Sequence, residues 1–377
     1  MSGRPSLLQV SDAEIADLRR RLAMTRWPVS WPVEPWAAGT DASELRRLVD
    51  YWANGYDWRR WEAAINALPS HYAEIDGHWL HYLKFDGESP AAVPILLTNG
   101  WPSTFFEMVE LAQRLAIPSR FGGADELSFT AIVPSLPGFT FSSQRPTLPP
   151  DLPTHEILNR LMSDELGFAR YAAHGGDLGA GITSRLAAAH PDALLGVHLM
   201  AVGAPPDIDE TSVSAEEKDY LNRVAAWTRD EGGYMHQQST RPLTLAYGLS
   251  DSPAGQLAWM LDKYKAWSDN HGTLANSFTD DFLLTQASLY WFTNTIGTSF
   301  RPYYEYGRGG SRGLSPVTVP TGISLFPADI SQPPRTWAER THNVVHYVRA
   351  PRGGHFAPIE APDLLAADIR SFVRPLL

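Results

Sequence analysis

The 377-residue sequence contains no cysteine, which excludes disulfides, thiolate metal ligands and a cysteine nucleophile. Charge is also scarce and lopsided. Only 19% of residues are charged and the formal net charge is −11, so a nucleic-acid partner is not expected, since phosphate binding takes a basic surface. Met1 to Val10 has neither the apolar run of a signal peptide nor the length of a transmembrane helix. A cytoplasmic protein without a membrane anchor is the expectation. What the chain does have is size and aromatic mass. It is long enough for a large core and more than one typical domain. Its 13 Trp, 14 Tyr and 15 Phe suit a deep apolar pocket as well as a core.

The hydrophobic pattern changes period along the chain. Ser11-Asp12-Ala13-Glu14 reads as a capping box, and Ile15, Leu18 and Leu22 follow at helical spacing, with the helix ending before Pro28. Residues 42–68 read as two helical pieces, broken near Gly55 and restarted at Asp57. From Tyr72 the period is that of strands. Tyr72–Ile75 and His78–Phe85 flank Asp76-Gly77, a hairpin signature. Val93–Thr98 and Phe129–Val133 are short apolar runs of the kind found in buried parallel strands, and Phe105–Leu115 between them has a helical apolar face. Thr154 is placed to cap a helix reaching Phe168; Tyr171–His174 is strand-like, Leu178–His190 helical and Leu195–Ala201 strand-like again. The alternation lapses over about 206–312, resumes at Val319–Phe326 and Val344–Val348, and closes with a helix over Pro362–Val373. The expectation is an α/β fold: a mostly parallel sheet with helices on both faces. Its divisions are an N-terminal wrapping region (1–70), a first core segment (71–205), a helical cap (206–312) and a second core segment (313–377).

The chemistry gathers at Gly175-Gly176-Asp177-Leu178-Gly179, between a strand and a helix. The glycine spacing is that of a nucleophile elbow, with aspartate where serine hydrolases carry serine. A carboxylate needs no base to become nucleophilic, and the ester it forms must be opened later by water. That order of events suits epoxide opening or halide displacement. An acid and a histidine should follow, each after a later strand. Asp329, in Phe326-Pro327-Ala328-Asp329-Ile330, and His355, in Arg352-Gly353-Gly354-His355-Phe356, meet that requirement. Each taken alone is an ordinary turn, cap or structural histidine; their joint order makes a triad. The negative charge that develops on the carboxylate needs donors, and the backbone N–H groups of Leu178 and of Trp101, in Asn99-Gly100-Trp101-Pro102, are the candidates. The pairs His78/His81 and His342/His346 lie in strands without a converging third ligand, so a metal is not expected.

These segments, with Pro134-Ser135-Leu136-Pro137-Gly138-Phe139-Thr140-Phe141-Ser142, resemble the epoxide hydrolases of the α/β-hydrolase superfamily. Arg26-Trp27-Pro28, Tyr56-Asp57-Trp58-Arg59 and Gly233-Tyr234-Met235-His236 are similar to the microsomal-type branch with its N-terminal wrapping region. The resemblance covers nearly the whole chain. It implies two cap tyrosines on the epoxide oxygen, Tyr234 and Tyr303, with Tyr304 beside the latter as the alternative. Two positions depart from the family pattern: Asn99 stands where histidine is usual and Thr140 where glycine is usual.

The resemblance implies a cofactor-independent conversion of an epoxide and water to a vicinal diol. Asp177 would be the nucleophile, His355 the hydrolytic base and Asp329 its partner. A tryptophan-rich cap suggests a bulky, hydrophobic or aromatic epoxide, and bacterial relatives of this branch suggest natural-product biosynthesis. A homodimer is the ordinary prior for assembly. Two alternatives stay open: a haloalkane dehalogenase, which typically has tryptophan where Leu178 stands, and a non-catalytic small-molecule receptor on the same fold.

Overall fold

The computed structural model describes residues 8–123, 125–145, 152–205, 208, 210–310 and 316–377. The expected cap edges at 206 and 312 lie outside them. Three helices come first: α1 (Asp12–Ala23), α2 (Ala42–Asn54) and α3 (Trp58–Asn66). The capping box at Ser11 and Glu14 is formed, and Ile15, Leu18 and Leu22 are buried. Asp41 and Asp57 accept backbone N–H bonds at the starts of α2 and α3, and the chain breaks at Gly55 between them.

The sheet begins with the hairpin β1 (Ser70–Ile75) and β2 (His78–Phe85). Asp76 and Gly77 both have positive φ, 50° and 77°, which is the tight turn that matches the twist of paired strands. Then come β3 (Val93–Thr98), α4 (Val109–Ala116), β4 (Phe129–Pro134), α5 (Thr154–Arg160), β5 (Tyr171–Gly175), α6 (Leu178–Ala189) and β6 (Leu194–Leu199). The sheet order is β1-β2-β4-β3-β5-β6, continued by β7 (Val317–Leu325) and β8 (His342–Arg349). β2 runs antiparallel to its neighbours β1 and β4; the other pairings are parallel. The inner strands carry near-continuous apolar runs because helices cover both faces. In β3, Ile95, Leu96 and Leu97 are fully buried. This is the α/β-hydrolase arrangement.

Three local readings need correction. Thr154 is the first residue of α5 and its side chain makes no cap bond; Pro153 precedes it in extended conformation. The expected helix to Phe168 is α-helical only to Arg160 and continues as a wider turn over Leu161–Glu165. The segment from Phe105 opens with a tight turn over Phe105–Met108 before α4 begins. Both departures change the winding of a helix while apolar residues stay buried along it.

Between β6 and β7 lie α7 (Ala215–Glu231), α8 (Gly233–Thr240), α9 (Pro242–Asp251), α10 (Pro253–Ala266), α11 (Asp280–Thr293) and α12 (Arg301–Glu305). The N-terminal helices grip this insertion. Trp52 Nε1 donates to Ser288 Oγ at 3.0 Å, the Tyr56 hydroxyl meets Thr285 Oγ1 at 2.8 Å, and the Tyr51 hydroxyl donates to Asp281 at 2.8 Å. All three partners lie on α11. Helix α13 (Arg335–Glu339) lies between β7 and β8, and α14 (Ala357–Glu360) and α15 (Pro362–Val373) follow β8.

Candidate active site

Asp177 sits between β5 and α6 at φ 48°, ψ −123°, a conformation that costs an L-residue of order 1–3 kcal/mol and persists only where its surroundings enforce it. The enforcement is steric. A Cβ on Gly175 would lie 2.3 Å from the carbonyl oxygen of Gly179, and one on Gly179 would lie 2.3 Å from that of Thr98. The chain can fold back this sharply only because both positions lack a side chain. The turn delivers the carboxylate to the carboxyl edge of the sheet, where the loops after β3, β7 and β8 also end.

His355 comes from the loop after β8 and Asp329 from the loop after β7. A parallel bridge between Ala328 and Gly354 ties the two loops together. His355 Nδ1 lies 2.7 Å from Asp329 Oδ1, and its Nε2 lies 3.7 Å from Asp177 Oδ2. The other nucleophile oxygen, Asp177 Oδ1, accepts the backbone N–H of Trp101 at 2.9 Å, and the Leu178 N–H also bonds to the carboxylate. The structure therefore brings together all five residues expected at the elbow, the triad and the amide pair.

The two tyrosines converge from separate helices of the insertion. Tyr234 on α8 stacks on the Trp101 ring at 5.5 Å, and Tyr303 on α12 meets both Trp101 and Tyr234 edge-on at 6.1 and 6.0 Å. Both are buried, and the Tyr303 hydroxyl has no polar neighbour besides that of Tyr234. Tyr304 lies instead under the guanidinium of Arg308, 4.7 Å from its ring centre. Of the adjacent pair, Tyr303 is the one that packs with Trp101 and Tyr234 and whose hydroxyl feels the Asp177 charge.

Two contributors escaped the reading of the sequence. Trp267 packs on Tyr234 at 5.0 Å and on His355 at 5.1 Å, and its carbonyl accepts the His355 N–H at 2.9 Å. Glu107, in the turn before α4, is 4% exposed and lines a cavity shared with Asp177 and His355. A glutamate on an otherwise apolar helical face, just after Asn99-Gly100-Trp101-Pro102, was the available signal.

Residues 4–108 match the family model "Epoxide hydrolase N terminus", and residues 93–231 match "alpha/beta hydrolase fold". The chain is 38% identical over 382 residues to a Stigmatella aurantiaca protein named for epoxide hydrolysis, covering 99% of this chain and 85% of that protein. It is 32% identical over 403 residues to epoxide hydrolase 1 of Sus scrofa, covering 98% and 88%. The Aspergillus niger epoxide hydrolase structure superposes with a TM-score of 0.85 at 32% identity, covering 100% of this chain and 97% of that one. The chain belongs to the epoxide hydrolases. It falls in their microsomal-type branch, and its reactants are an epoxide and water. Among the described residues no helix is long and apolar enough to cross a membrane.

Within this epoxide hydrolase the two departures from the family pattern have visible consequences. Asn99 Nδ2 donates to the carbonyls of Gly100 and Ser103 at 3.0 and 3.2 Å, bracing the loop that presents the Trp101 amide. Thr140 keeps φ at 44°, so the left-handed backbone survives without glycine. Its hydroxyl meets Ser135 Oγ at 2.9 Å, and its amide donates to Thr295 Oγ1 at 3.2 Å.

Burial shapes the electrostatics. It pushes the Asp177 carboxyl up, opposed by His355 and the two amides. At His355 burial pulls down, but Asp329 above all, with Asp177 and Glu107, outweighs it and pushes the imidazole up to about 9. The nucleophile therefore rests beside an imidazolium at neutral pH. Burial also drives both phenols upward, so Tyr234 and Tyr303 stay protonated and able to donate.

Proposed function

We propose that the chain opens its epoxide by attack of Asp177 on a ring carbon while Tyr234 and Tyr303 donate to the ring oxygen. An unassisted alkoxide is a poor leaving group, and two buried phenols supply the proton it lacks. The first product is a hydroxyalkyl ester of Asp177 and a tyrosinate, which recovers its proton from the His355 imidazolium. Esterification also removes the Asp177 charge that helped hold that proton. Neutral His355 then takes a proton from water as its oxygen bonds to the Asp177 carboxyl carbon. The amides of Trp101 and Leu178 stabilise the oxyanion. Collapse breaks the ester C–O bond, and the departing oxygen leaves with the remaining water proton as a vicinal diol. Asp177 is again a carboxylate and His355 an imidazolium oriented by Asp329.

One observation carries this reading: a strained elbow carboxylate accepts two backbone amides, that of Trp101 on Oδ1, with an imidazole 3.7 Å from Oδ2. The test is a single turnover in oxygen-18 water with enzyme in excess. The first diol should contain unlabelled oxygen from Asp177, and label in that diol overturns the ester route. His355→Gln should let the ester accumulate as a protein mass increase; its absence removes His355 as the hydrolytic base.

The aromatic wall of Trp101, Tyr234, Trp267, Phe300 and Tyr303 supports a bulky hydrophobic or aromatic epoxide. Such an epoxide suits natural-product biosynthesis as the pathway context. A second reading rests on one observation: the indole N–H groups of Trp101 and Trp267 are buried without partners, as donors to a halide would be. Halide release from a panel of chloroalkanes and bromoalkanes, faster than turnover of any epoxide, would put dehalogenation first.

A further inference from the structure

Ester hydrolysis needs a water held in line with the Asp177 carboxyl carbon, and the roles assigned to Asp177, Tyr234, Tyr303 and His355 do not say what holds it. A cavity with about 10 Å³ of space open to a water's centre lies against the nucleophile, which is room for one molecule. Asp177, His355, Glu107 and Ser103 line it, with the backbone at Gly100 and Gly176. Neither Tyr234 nor Tyr303 does, so the cavity is separate from the oxygen-activating groups. A confined water takes two to four polar partners. His355 accepts one of its protons in the proposed reaction, so the other proton needs a different acceptor.

We propose that Glu107 is that acceptor: its carboxyl fixes the hydrolytic water between His355 Nε2 and the Asp177 carboxyl carbon. The inference rests on the ester route above. Glu107 is buried, and the Ser103 side chain hydrogen-bonds it while also meeting the Tyr264 hydroxyl at 3.1 Å. The charged groups that act on it are His355, Asp177 and Glu360. Burial pushes its carboxyl up to about 8, opposed chiefly by His355. The influence is mutual: when ionised, Glu107 helps hold the proton on His355. It therefore orients the water through a carboxyl oxygen and, at the pH where it ionises, strengthens the base that deprotonates that water. Epoxide opening needs neither.

The experiment separates the two chemical steps in the intact chain. Rapid mixing with an epoxide that the wild type turns over measures ester formation by protein mass, and its decay measures hydrolysis. Glu107→Gln keeps the size and one acceptor but cannot ionise. Its ester formation should stay within about 3-fold of wild type and its hydrolysis should slow by about 10-fold. Glu107→Leu removes the acceptor and should slow hydrolysis by about 10²-fold, the usual cost of a misplaced reactant. In the Gln variant the pH limb of hydrolysis, set by deprotonation of His355, should also move to lower pH. Wild-type hydrolysis in the Gln variant, equal slowing of both steps, or an unmoved limb each overturns the proposal. Should the Leu variant fail to fold, the Gln variant decides alone. If wild type and His355→Gln form no ester at all, the mechanism itself is wrong; if they do and Glu107→Gln hydrolyses normally, only the water-holding role falls.

Discussion

The hydroxyl of Tyr303 is buried, and its one polar neighbour is the hydroxyl of Tyr234, so it ties down nothing else in the fold. Deleting it should therefore cost little stability and much reactivity. Tyr303→Phe is expected to leave the melting temperature nearly unchanged and to lower ester formation by about 10²-fold, the low end for a lost proton donor. Tyr304→Phe, acting on a ring covered by Arg308, should leave that step within about 3-fold. Stopped-flow measurement on both variants checks the assignment; similar losses in the two would remove Tyr303's special place. Asp177, Asp329 and His355 were legible because each stands next to a strand end, which the apolar runs mark. The choice between Tyr303 and Tyr304 was not. Adjacent helical residues point about 100° apart, and the helix must be placed before its faces can be told. Glu107 stayed hidden for a related reason: nothing local says that a glutamate on an apolar face borders a cavity.

At the scale of elements, the elbow depends on β3, β5 and α6 approaching more closely than any Cβ permits. Gly179→Ala would put a methyl 2.3 Å from the Thr98 carbonyl, which is backbone and cannot swing aside. We expect a loss of at least about 2 kcal/mol from overpacking, with activity falling further because Asp177 moves with the turn. Gly181→Ala, on the same helix with open space around it, is the control and should be neutral or slightly stabilising. Urea unfolding with diol formation on both variants tests this; a fully active, stable Gly179→Ala protein would mean that the close approach is not required. The strand–helix alternation and the Asp76-Gly77 hairpin were readable because each is coded within a few residues. The wider turn over Leu161–Glu165 was not, since an apolar face continues through it and the register of backbone bonds leaves no sequence mark. The placement of β4 between β2 and β3 was likewise invisible, because strand order is fixed by how helices cover the sheet and not by any strand's own pattern.

Across the whole molecule, two buried populations of titratable groups work in opposite directions. Around the site, burial raises Glu107 to about 8 and Glu360 to about 7, so the folded state is relieved as pH falls and these carboxyls take protons. At the sheet, burial lowers His81 to about 3 and His342 to about 4, and these rings must stay neutral in the fold. His81 is held between Ser135 Oγ at 2.8 Å and Ser70 Oγ at 3.3 Å, and His342 between Ser184 Oγ at 3.1 Å and Thr341 Oγ1 at 2.8 Å. A base whose folded pKa is depressed contributes stability that is present above its unfolded pKa of about 6.5 and lost as pH falls below it. The loss reaches about 2 kcal/mol for each histidine at pH 5, at about 1.4 kcal/mol per pH interval of one. The carboxyl relief masks it in the wild type, so the contribution is exposed by difference. His81→Gln/His342→Gln should be less stable than wild type at pH 7, from disturbed packing and hydrogen bonds. Its deficit should shrink by about 4 kcal/mol between pH 7 and pH 5, because glutamine has no proton to gain. Urea midpoints of both proteins at pH 7, 6 and 5 measure that convergence. Parallel midpoints would mean that the two rings already carry protons in the fold, and that the sheet tolerates charge where the hydroxyl partners indicate neutrality.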